Sequence, residues 1–231
     1  MTAPVQPAGG QARSGGGSPG VVARRCGHDH GPAWIVDGTV PGDPGPASGR
    51  PGVPLDPRLI GGLRWVEHGL FELVGAWVAD EPCAPARVLF AVLSRQHGEH
   101  AGQLADRLPA RAGVDADALT LPPPGWAPVV DLLRSGPDAV APSVALDGTA
   151  ARLVGLGRAV LPKLAGAYAL ALRQAGPADA PVVRVLRAVH SSTRDAWAVV
   201  DAAADRQLAD AGAIEAAATW QGRLQTALSG R

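Results

Sequence analysis

Apolar residues recur at three- and four-residue intervals in four long stretches of this chain, and each stretch predicts a helix. The first covers about 58–79 and places Leu59, Leu63, Val66, Leu70, Leu73 and Trp77 on one face. The second covers about 85–108, with Ala86, Phe90, Leu93, His97, His100 or Ala101, Leu104 and Leu108 in one stripe. The third covers about 149–174. The fourth, about 180–208, aligns Val183, Leu186, His190, Thr193 and Trp197. A shorter helix near 213–228 sets Ile214, Ala217, Trp220 or Gln221, Leu224 and Leu228 on one side. No alternating run of β-branched residues is bounded by turn chemistry, so the pattern reads as all-α.

The connections add topology. The first two helices are separated only by Asp80-Glu81-Pro82-Cys83-Ala84, and the next two only by Ala175-Gly176-Pro177-Ala178-Asp179. Short links of this kind make antiparallel hairpins. About 40 residues lie between the second and third helices, including Pro122-Pro123-Pro124 and a small helix near 126–133. Two hairpins joined by one long crossover is the connectivity of ferritin-like four-helix bundles.

Polar residues interrupt the core stripes at few places. Beside the main stripe of the first helix runs a second one of Ile60, Leu63, Glu67, Leu70 or Phe71, Val74 and Val78, in which Glu67 is the only charge. A buried carboxylate needs a cation, a metal or a proton, unless the apolar arc is narrow enough to leave Glu67 at its rim. On the second helix His97 and His100 stand three apart, leave the same side and could share one ligand. The alternative is a pair of core-edge histidines bonded to Gln96 or to a facing side chain. His190 faces inward by the periodicity of the fourth helix.

Residues 65–77 (WVEHGLFELVGAW), 94–101 (SRQHGEHA) and Arg107-Leu108-Pro109 resemble the first hairpin of ferritin-like proteins. Residues 160–168 (VLPKLAGAY) and 180–187 (APVVRVLR) are similar to the second hairpin of a group within that superfamily, uncharacterised proteins of high-GC bacteria with His-x-x-His on the second helix. The resemblance implies a ferritin-like four-helix bundle with a long crossover, followed by a C-terminal helix. In di-iron members two helices each give a Glu and two each give Glu-x-x-His. Glu67 matches the first-helix ligand and His100 the second-helix histidine, but His97 stands where that motif has Glu. The third helix has no glutamate, only Tyr168 and Lys163 as notable polar groups, and the fourth offers His190, Asp195 and Asp201 without Glu-x-x-His.

Composition then decides how much of such a site this chain can build. Its glutamates are Glu67, Glu72, Glu81, Glu99 and Glu215, too few in the right places for a full di-iron centre. What remains is a half-site of Glu67, His97 and His100, with His190 across the bundle, suited to a single Zn or Fe ion with an open position. The competing account is a metal-free network in which Glu67 pairs a protonated histidine and fixes the register of the bundle.

Lys+Arg and Asp+Glu balance at 21 each, which argues against a nucleic-acid partner or a polybasic membrane anchor. Two cysteines, no secretory signal and no long uncharged apolar run lead to a cytoplasmic expectation without a membrane span. Residues 1–57 contain 13 of the 30 glycines and 10 of the 22 prolines, so a disordered tail is expected before a helical domain at 58–231. Cys26-Gly27-His28-Asp29-His30 within it reads as a chance cluster. Two function classes stay open: a mononuclear metalloenzyme acting on a small-molecule ligand, and a non-catalytic helical module for partner binding or homodimer formation.

Overall fold

Asp56 caps the first helix. Its carboxylate accepts a bond from Arg58 N at 2.9 Å, and Pro57 occupies the first turn, where a missing N–H costs nothing. In the computed structural model, which describes residues 54–109, 115–137 and 146–230, helix α1 spans Pro57–Asp80 and α2 spans Ala84–Ala105. A one-turn helix α3 (Ala116–Leu119) and α4 (Trp126–Ser135) follow. Next come α5 (Gly148–Val154), a π-helical segment (Gly155–Val160) and α6 (Leu161–Gln174), which form one continuous rod. After a 3-10 turn at Pro177–Asp179 the chain ends in α7 (Ala180–Gln207) and α8 (Ala211–Leu228). No strand occurs among the described residues, and the chain is all-helical there.

The expected helices are present, with small differences. The second ends at Ala105, short of Leu108, and residues 54–56 belong with the helical body, because Leu55 N donates to Asp179 Oδ1 at 3.0 Å. Ile214 is exposed rather than part of the buried stripe of α8, which begins at Ala217 and continues through Trp220, Leu224 and Leu228. The expected N-terminal disorder and the Cys26–His30 cluster lie outside the described residues.

Two hairpins carry the core. Glu67 meets His97 and His100, and Trp77 meets Phe90, so α2 runs antiparallel to α1. Arg158 reaches Asp201 and Asp205, and α7 returns beside α6 after the Ala175–Asp179 turn. Gly157 permits this approach: a Cβ there would lie 3.1 Å from the Asp201 backbone. Between the hairpins, Glu81 at the end of α1 bonds Thr149 and Arg152 at the start of α5, whereas Glu67 bonds Tyr168 well along α6. α1 therefore runs antiparallel to the α5–α6 rod. The long connection travels back along α1. Leu119 of α3 packs its backbone against Gly61, Arg64 donates to Thr120 Oγ1 at 2.8 Å, and Val130 of α4 lies over Gly69.

The π segment has a local cause. Pro162 has no N–H for the carbonyl of Arg158, and its ring crowds that carbonyl. The turns before it widen, and Gln221 Nε2 of α8 donates to the freed Arg158 O at 3.4 Å. By length and composition the rod 148–174 could cross a membrane, but most of its apolar window is buried against the rest of the chain.

Candidate metal centre

Three elements bring their polar residues to one point. Glu67 projects from the middle of α1, His97 and His100 from the fourth and fifth turns of α2, and Tyr168 from α6. Their exposures are 0% for Glu67, 1% for His97, 5% for His100 and 0% for Tyr168, so the cluster is closed to solvent. His97 Nδ1 lies 2.5 Å from Glu67 Oε2, and His100 Nδ1 lies 3.3 Å from Oε1. The Tyr168 hydroxyl donates to that same Oε1 at 2.5 Å. The far side of the His100 ring, Nε2, is 3.3 Å from Ser192 Oγ on α7.

The electrostatics follow from this packing. Burial alone pushes the Glu67 carboxyl up, but the charge and hydrogen bonds of His97 and His100 outweigh it and hold the group at about 2, below its ordinary 4.5. Burial, the neighbouring Glu67 charge and the bond to it all push the Tyr168 phenol well above its ordinary 10. Glu67 is thus an anion and Tyr168 a neutral donor. Two buried polar atoms are left without a hydrogen-bond partner among the described residues, His97 Nε2 and Thr193 Oγ1. Such orphans are rare and costly, and one of them belongs to this cluster.

Glu67, His97 and His100 lie close enough to bind a metal ion, with one ligand atom from each within 4.8 Å of the others. A carboxylate with two imidazoles is a borderline donor set that fits zinc or iron. Set against known proteins, the chain matches no family model, no curated protein and no solved structure. The chemistry of the cluster therefore has to carry the functional reading.

The sequence-predicted residues divide in two. Glu67 is fully buried rather than at a rim, and it meets both histidines of the His-x-x-His pair. His190 is buried on α7, but it is not part of the group whose ligand atoms converge. Gln96, the alternative partner of the histidines, instead donates to Ser192 Oγ at 2.8 Å and ties α2 to α7.

A second buried carboxylate escaped the sequence reading. Glu81 is wholly enclosed in the α1–α2 turn, accepting from Thr149 Oγ1 at 2.6 Å, from Arg152 at 2.9 Å and from Cys83 N at 3.1 Å. Periodicity gives no signal for a residue in a turn. Arg152 also lies over the Trp77 ring, 5.5 Å from its centre. A cleft of about 490 Å³ opens beside it, lined by Trp77, Leu133, Arg152 and Trp220 and separate from the histidine cluster.

Proposed function

We propose that this protein is a ferritin-like four-helix bundle holding one zinc or iron ion on Glu67, His97 and His100. The observation that carries the reading is the convergence of a fully buried carboxylate and two buried imidazoles, one ligand atom from each within 4.8 Å of the others. The antiparallel setting of α1 against the α5–α6 rod, with the connection running back along α1, supports the crossover topology that the sequence resemblance implies. When bound, the ion would supply Lewis-acid chemistry. Glu67 contributes the one negative charge of the three-residue set, the two imidazoles bind as neutral ligands, and the apolar walls from α1, α2 and α6 exclude water. That enclosure favours a centre that stabilises the bundle over one that turns over an organic substrate.

A metal-free network is the second reading, and one observation favours it: both Glu67 oxygens already accept hydrogen bonds, Oε2 from His97 and Oε1 from His100 and Tyr168. Elemental analysis separates the two. Protein purified without chelator and dialysed against zinc or iron should carry about one ion per chain, and Glu67→Ala should carry none while keeping its helical circular dichroism. Wild-type protein with metal far below stoichiometric would establish the network instead.

A further inference from the structure

The three-residue set leaves a charge unaccounted for. A divalent cation on one carboxylate and two neutral imidazoles has a net charge of +1, placed where every ligand is buried. A lone charge in such surroundings is costly unless something neutralises it. The other buried carboxylates among the described residues are engaged elsewhere. Glu81 pairs with Arg152 fourteen residues further along α1, about 20 Å away at the rise of an α-helix. Asp179 accepts from the Leu55 and Gly176 backbone N–H groups at 3.0 and 2.8 Å. Glu67 and Tyr168 are fully enclosed, so bulk solvent does not screen the charge.

Tyr168 is the group that remains. Its oxygen lies 2.5 Å from Glu67 Oε1, the atom that His100 Nδ1 also approaches. We infer that Tyr168 is the fourth ligand of the centre, bound as a phenolate. This inference rests on the metal reading above and goes one residue beyond it. With an ion in place, the Tyr168 phenol would give up its O–H proton to solvent and keep the electron pair on oxygen as the fourth donor. Glu67 and Tyr168 would then supply two negative charges against a divalent ion. The closed, four-ligand site would be electrically neutral, which removes the cost of a lone buried charge.

Tyr168 is the only tyrosine in the chain, so its ionisation can be read without a mutation. Zinc is the probe, because it has no absorption of its own in the near ultraviolet. Titrating zinc into chelator-stripped wild-type protein should produce a phenolate difference band that saturates at one zinc per chain. Tyr168→Phe should give no band, release one proton fewer per zinc, and bind at least about tenfold more weakly. Zinc uptake by the wild type without a phenolate band, or equal proton release by both proteins, overturns the Tyr168 assignment and leaves the three-residue centre standing. No zinc uptake by the wild type overturns both.

Discussion

Replacing Glu81 by alanine should destabilise the protein about as much as truncating a core side chain, although Glu81 is a charged residue in a turn. The substitution empties a wholly enclosed position and breaks three bonds at once. It leaves the Thr149 hydroxyl and the Cys83 N–H without their acceptor, and Arg152 without its carboxylate. Removing one partner of a buried ion pair costs about 3–5 kcal/mol, because the other charge is left uncompensated. Arg152 recovers part of that, since its side chain is 24% exposed and can draw water while it stays against Trp77. A loss of about 2–4 kcal/mol is therefore expected, once the stranded hydroxyl and amide are included. For a domain of this size that lowers Tm by about 5–15 °C. Glu81→Gln keeps an acceptor for Thr149 and Cys83 and should lose roughly half as much. Urea unfolding at pH 7 followed by circular dichroism gives both values, and metal content should not change in either variant. A loss below about 0.5 kcal/mol for Glu81→Ala, within the range of ordinary surface substitutions, would refute the buried lock.

Two further outcomes follow from the same geometry. In chelator-treated protein the Glu67 carboxyl sits near 2 when folded against an ordinary 4.5, so its contribution is complete above about 4.5 and is lost as the pH falls towards 2. The unfolding free energy of the wild type should fall through that window more steeply than that of Glu67→Gln, and parallel pH profiles would contradict the charge assignment. Gly157→Ala should cost about 1–3 kcal/mol because its Cβ would press on the Asp201 backbone of α7, whereas Gly102→Ala, with nothing within 4 Å, should stabilise α2 by up to about 1 kcal/mol. Thermal melts of the pair read this contrast directly.

The long helices were legible because each buries one side, and a buried side writes its period into the sequence. Glu67, His97 and His100 stood out for the same reason, as polar residues falling on apolar stripes. Their meeting point was a matter of tertiary packing, and the resemblance to ferritin-like hairpins pointed to it more than any spacing did. Tyr168 was noticed as a polar residue of the third helix, but its partner could not be read, because that needs the register between two hairpins that share no local sequence. Glu81 was invisible: it sits in a turn, and only the arrival of Thr149 and Arg152 from 68 and 71 residues away makes it a core residue. Ile214 shows the reverse failure, an apolar residue in phase with a stripe whose first turn has nothing packed over it.

The widened turns at Gly155–Val160 bear on more than local comfort around a proline. One additional residue accommodated in a helix carries everything after it round the axis by about 100°. The rod 148–174 is thus two helices with different headings on a common axis: the first is clamped at its start by Glu81, and the second is aimed by the offset. Tyr168 lies eight residues beyond Val160 and inherits that rotation. Deleting a single residue from the wide turns would let them close to ordinary α geometry and swing the phenol away from Glu67, with the hydrophobic content of the rod almost unchanged. Pro162 therefore works at a distance as an angular setting, deciding which way the only tyrosine of the chain faces.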